Sequence, residues 1–167
     1  MSFRDEYLSE FENEMKNTRR MIERVPSDKG EWKPHPKPFA LGHLAQLVTW
    51  IPGWIGNAAA VTSLDIAAAP RYSFEKTETL LKTFDENVAQ AKAAIAKLGD
   101  KDLDASWELK RGDMVLFSTT RGRALRQHMS HLSHHRGQLS VYLRLLDVPV
   151  PPVYGPTADE KVAFLGS

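Results

Sequence analysis

The chain has 167 residues, 42% of them apolar and 26% charged, with a formal net charge of +1. That length points to one domain spanning residues 1–167, and the balance supplies enough apolar side chains for a core. The near-neutral charge lacks the basic excess that marks nucleic-acid partners. There is no cysteine, which excludes disulfides, thiolate metal ligands and a cysteine nucleophile.

The opening residues MSFRDEYLSEFENE are charged and hold no apolar run of the signal-peptide kind, so a cytoplasmic location is expected. Phe3, Tyr7, Phe11, Met15, Thr18, Ile22 and Val25 recur at helical spacing and predict helix one over residues 2–24. Pro26 and the run from Ser27 to Gly30 end it. Pro26, Pro34, Pro36 and Pro38 then make residues 26–39 a stiff, extended connection.

Helix two is expected over residues 39–62, with an inward face of His43, Leu47, Trp50, Trp54, Asn57 or Ala58, and Val61. No Lys, Arg, Asp or Glu occurs from Pro38 to Leu64. His43, Gln46, Asn57, Pro52 and three glycines interrupt that stretch, so it reads as a buried helix rather than a membrane span. Pro52 removes a backbone hydrogen bond, and a kink or short break is expected there, helped by Gly53.

Helix three is expected over residues 74–98, with Ser73 as N-cap, Leu80, Phe84, Val88, Ala91, Ile95 and Leu98 as its stripe, and Gly99 as the C′ residue. Trp107, Leu109, Val115 and Phe117 alternate around Lys110-Arg111-Gly112-Asp113. This predicts a β-hairpin turning near Gly112-Asp113, with an irregular loop as the alternative. Helix four starts after Thr119 or Thr120 and runs to Leu146, with Ala124, His128, His131, His135, Leu139, Tyr142 and Leu146 in one sector. Gly137, in mid-helix, is expected to let another helix or a substrate come close. An extended tail follows, with a short final turn over Asp159 to Leu165. Together these elements predict an all-α fold: a four-helix bundle with a small β-hairpin between helices three and four.

Four of the six histidines lie within residues 128–135. His131 and His135 are one helical turn apart, so both imidazoles can present a ring nitrogen to one small volume. The alternative is a set of hydrogen-bonded structural histidines. His43 is the candidate third ligand, because cysteine is absent, helix two is nearly free of carboxylates and no other histidine outside the cluster lies on a predicted helix; a satisfied core histidine is the plainer reading. Inward carboxylates on helices one and three are not evident, which argues against a di-iron carboxylate bundle. His128 suits a supporting or substrate-contacting place, His134 the rim or surface, and Gln138 a hydrogen bond near the site. His35 belongs to a solvated loop. Three neutral imidazoles suit Zn, Ni or Fe and leave a coordination position open, as catalytic sites do.

His43 within Leu41-Gly42-His43-Leu44-Ala45, the hairpin before the last helix, and His131-Leu132-Ser133-His134-His135-Arg136-Gly137-Gln138 together resemble the DinB/YfiT-like superfamily of metal-dependent enzymes. The likeness covers most of the chain. It implies a four-helix bundle, often dimeric, with a divalent metal on the residues matching His43, His131 and His135. It also implies a small-molecule substrate, with thiol-dependent transferases and isomerases among the relatives. The activity expected is of thiol-dependent transferase or hydrolase type, with a non-catalytic metal or small-ligand binding bundle as the alternative; the sequence names no catalytic residue. Arg121, Arg123, Arg126 and Arg136 are either a solvated face or cations at the pocket mouth that attract a carboxylated thiol.

Overall fold

The computed structural model describes residues 2–67 and 69–160. Four α-helices, α1 (Phe3–Ile22), α2 (Leu41–Ala60), α3 (Thr77–Ile95) and α4 (Arg121–Leu145), pack around one apolar core, with a three-stranded sheet whose strands come from the α2–α3 and α3–α4 connections. The strands are β1 (Ser63–Asp65), β2 (Ser106–Arg111) and β3 (Met114–Thr120), in the order β1-β2-β3. No helix among the described residues is long and apolar enough to cross a membrane.

α1 starts where Ser2 Oγ accepts from Asp5 N at 3.3 Å, with Asp5 and Glu6 in the first turn and Arg19 and Arg20 in the last, matching the helix dipole. Its expected stripe is buried from Tyr7 to Ile22. The proline-rich connection is not merely a spacer. Trp32 O accepts from Leu41 N, and Gly30 O accepts from Gly42 N, both at 2.9 Å, so this loop satisfies the first turn of α2, whose N-cap Ala40 offers no side-chain acceptor.

α2 departs from two expectations. It runs unbroken through Pro52. Its deepest face is Leu44, Val48, Ile51, Ile55 and Ala58, each 1% exposed or less, while His43, Trp50, Trp54 and Asn57 are half-buried and Val61 is exposed. A helix apolar on nearly every side gives periodicity little to fix on. Gly53 and Gly56 serve packing: a Cβ on Gly56 would sit 3.0 Å from Ala91 Cα of α3.

α3 begins at Thr77 and not beside Ser73. Its cap comes from far along the chain, with Ser27 Oγ accepting from Thr77 N at 3.0 Å. Ser73 instead donates its N–H to Gln46 Oε1 at 2.8 Å. Gly99 is not the C′ residue either, since α3 ends at Ile95 and Gly99 has φ −101 at the start of a short 3-10 turn.

β2 and β3 pair antiparallel from Ser106↔Thr120 to Arg111↔Met114. The turn falls on Gly112-Asp113, with Gly112 at φ +58, a conformation glycine adopts without steric cost. β1 was not expected. It is three residues long and pairs parallel with β2, placing Leu64 opposite Leu109. Asp65 Oδ1 ties it to the hairpin tip, accepting from Gly112 N at 3.0 Å. Trp107 of β2, 2% exposed, anchors the sheet in the helical core.

α4 is capped by Thr120, whose side chain accepts from Arg123 N. It ends with Asp147 in the left-handed region at φ 57, where Val148 N donates to Leu143 O at 3.0 Å, closing the last turn. The chain then returns across α1 and α4: Asn17 Nδ2 donates to Val153 O at 3.2 Å, and Arg20 and Arg24 both pair with Glu160. The final turn expected over 159–165 falls mostly outside the described residues.

Candidate metal centre and its flanking pockets

His131 and His135 come together as the helical spacing requires. Their Nε2 atoms are 2.8 Å apart, with ring centroids at 4.6 Å. Gln138, one turn on, places its Oε1 2.7 Å from His135 Nδ1, a contact satisfied by the tautomer with the proton on Nδ1 and the lone pair on Nε2. The Gln138 amide then donates to His134 Nε2 at 3.0 Å. Trp54 of α2 stacks on His131, centroids 5.8 Å apart and planes at 27°. Burial, then the neighbouring His135 and His134, lowers the His131 pKa, favouring the neutral ring. Two imidazoles fixed through their other nitrogen or by stacking, with Nε2 atoms facing one point, are a donor set that fits a divalent metal.

His43 stands apart from this pair. Its ring lies between Phe39 and Tyr72, at centroid distances of 4.1 and 3.5 Å, and Tyr72 stacks in turn on Trp50 at 4.8 Å. Burial and then Lys33 lower its pKa. Among the described residues no set of three His, Asp or Glu side chains is gathered as a metal-holding group. His131 and His135 contact each other, and the ring contacts of His43 are with Phe39 and Tyr72. Phe39 and Leu44, on either side of His43 in sequence, do line one pocket of about 510 Å³ together with His135 and Gln138.

His128 lies one turn below His131, edge-on to Trp107 at 5.5 Å. Burial pushes its pKa down to about 4, and its Nε2 is buried with no hydrogen-bond partner among the described residues. With His131, Trp54 and the β1–β2 wall it lines a second pocket of about 550 Å³. His134 is exposed. His35 is exposed in the proline loop, its Nδ1 accepting from Lys37 N at 3.2 Å.

The arginines depart from the pocket-mouth expectation. Arg136 is 2% exposed and pairs with Glu14 of α1, so an inward carboxylate is present after all. Arg121 is 9% exposed, with Asp102 at 3.9 Å and the Val61 carbonyl at 3.5 Å. Arg126 lies over the Phe3 ring at 4.9 Å. Arg123 is exposed. The helix turns by ~100° per residue, which carries Arg136 away from His135 and onto α1. A pairing with Glu14, 122 positions upstream, leaves no local signal in the sequence.

A mainly helical domain with a paired-histidine site on its last helix and a small sheet beside it is the class this structure defines. The family model described as "DinB family" matches residues 1–162, and the chain belongs to the DinB family. Among solved structures it is similar to a DinB-like protein of Bacillus subtilis, at 19% identity and a TM-score of 0.71, covering 89% of this chain and 97% of that one. It is also similar to a DinB-like protein of Bacillus cereus ATCC 10987, at 21% identity and a TM-score of 0.69, covering 89% and 95%. At these identities the likeness speaks for the fold. No curated protein matches the chain.

Proposed function

We propose that this protein is a divalent-metal-dependent enzyme of thiol-dependent transferase or hydrolase type, built as a four-helix bundle with a hairpin before the last helix. His43, His131 and His135 hold a Zn, Ni or Fe ion. The observation that carries the reading is the 2.8 Å approach of His131 Nε2 and His135 Nε2, with Gln138 on the far nitrogen of His135. The shared pocket of Phe39, Leu44 and His135 supports His43 as the third ligand. A divalent ion there supplies Lewis acidity, which lowers the pKa of a water or thiol. Gln138 orients His135 and Trp54 holds the His131 ring. The substrate is a small molecule, with a low-molecular-weight thiol as the first class to test. A cytoplasmic homodimer belongs to the same reading, and the exposed Val141 and Leu145 of α4 suit a contact between copies. The second reading, a non-catalytic metal or small-ligand binding bundle, is favoured by the stacking of His43 between Phe39 and Tyr72.

The test is elemental analysis of protein purified without a nickel column, for wild type and for His43→Ala, His131→Ala and His135→Ala. Wild type is expected to carry a metal that His131→Ala and His135→Ala lose, with His43→Ala weakened. Equal, negligible metal in all four sinks the proposal. Metal-loaded protein is then screened with low-molecular-weight thiols and electrophilic acceptors, and with hydrolysis panels. Metal without turnover selects the binding reading.

A further inference from the structure

The two pockets beside the histidine pair differ in chemistry. The one on the His135 side carries Lys37 in its wall. The one on the His131 side has no Lys, Arg, Asp or Glu among its lining residues. Its apolar walls are Trp54 from α2, Leu64 from β1, Ile66 just after it and Leu109 from β2; α4 supplies the polar part, His128 and His131 together with the uncharged side chains of Gln127 and Ser130 and the ring of His134.

The sheet builds this wall. β1 is only three residues long and pairs parallel with β2, which sets Leu64 beside Leu109 in register. Ile66 N donates to Lys110 O at 2.9 Å, holding the chain against the sheet past the end of β1. Leu64, Ile66 and Leu109 remain half-buried, so they face a cavity that the protein's own side chains do not fill. At about 550 Å³ it lies within the usual ligand-pocket range of roughly 300–1,000 Å³. Trp54 contributes a flat aromatic side chain beside the His131 ring.

We infer that this pocket binds an uncharged, flat, apolar group of about bicyclic ring size, and that this group is the part of the substrate held against His131. An apolar lining with an aromatic wall favours such a group, because a carboxylate or ammonium would lose its hydration and find no charged partner. The placement beside the reacting centre rests on the metal-enzyme reading above; the binding of the ring does not.

The probe is prodan, a neutral naphthalene dye whose emission moves to the blue in apolar surroundings. It is titrated into metal-free protein in EDTA, so that the result is independent of metal content. Saturable binding with a blue shift is expected. Leu64→Trp and Ile66→Trp, which fill the pocket, weaken it by about tenfold or more. Val141→Trp, in the other pocket, changes it by less than about twofold. Circular dichroism confirms folding of each variant. A second measurement needs no variant: 2-naphthol displaces prodan from wild type about tenfold better than 2-naphthoate does.

Absence of saturable binding overturns the inference. So does weakening by Val141→Trp alone, indifference to both filling variants, or naphthoate competing as well as naphthol. If elemental analysis of the protein as purified finds no metal while the EDTA-treated protein binds the probe, the metal-enzyme reading falls and the pocket stands. Metal without probe binding does the reverse.

Discussion

Arg136 Nη2 lies 2.6 Å from Glu14 Oε2, and the two side chains are 3% and 8% exposed. The same guanidinium donates to Thr18 Oγ1 at 3.0 Å and to Tyr154 OH at 2.6 Å, while Tyr154 OH donates to Glu14 Oε2 at 3.0 Å. A charge pair this far from water survives because the Glu14 carboxylate and carbonyl, Thr18 and Tyr154 all accept from the guanidinium.

Removing one partner strands the other. Arg136→Met or Glu14→Leu alone is expected to cost about 3–5 kcal/mol, and the double change less than their sum. Urea denaturation of the four proteins measures the cycle. Additive costs would mean that the pair is not coupled.

Two helix glycines have opposite expected outcomes. Gly56→Ala places a Cβ 3.0 Å from Ala91 Cα, a backbone atom that cannot rotate aside. It is expected to cost about 1–3 kcal/mol by forcing α2 and α3 apart. Gly137 is exposed, and a Cβ there meets no described atom within 4 Å, so among the described residues no other helix comes close at Gly137. Gly137→Ala is expected to stabilise α4 by up to about 1 kcal/mol. Thermal melts of both variants, one lower and one higher than wild type, check the contrast.

His128 makes the metal-free fold sensitive to acid. Burial holds its pKa at about 4 against a usual 6.5, so the unfolded chain takes up its proton first as the pH falls. Stability from the neutral, buried ring is complete above pH 6.5 and is lost as the pH drops towards about 4. The loss attributable to this group is on the order of 3 kcal/mol. His128→Leu removes the titration and the unpartnered Nε2, so its stability changes less over that window. Urea midpoints from pH 8 to pH 4.5, in about half-unit steps, measure the difference; equal slopes for both proteins would remove His128 as the cause.

The helices were legible because α1, α3 and α4 repeat their apolar residues on one side, and Thr120 and Gly112 carry local cap and turn chemistry. The His131–His135 approach was legible for the same reason: both residues lie on one helix, and the spacing alone fixes it. What escaped depends on distant pairs. Ser27 caps α3 from 50 residues away, and Glu14 draws Arg136 off the site from 122 residues away. β1 has three residues, too few to alternate, and exists because β2 offers it an edge. The ring contacts of His43 with Phe39 and Tyr72 were not legible either, since neither partner is set by the spacing along α2.

The return segment after α4 has a consequence for synthesis. The Tyr154 hydroxyl bonds both members of the Glu14–Arg136 pair, and Val153, Pro152 and Glu160 are bound by Asn17, Arg20 and Arg24 of the α1 region. A chain synthesised only as far as the end of α4 lacks the hydroxyl that bonds Glu14 and Arg136. The first helix is completed by a residue 140 positions further along, so its buried charge gains that partner only after the stretch around Tyr154 has been made.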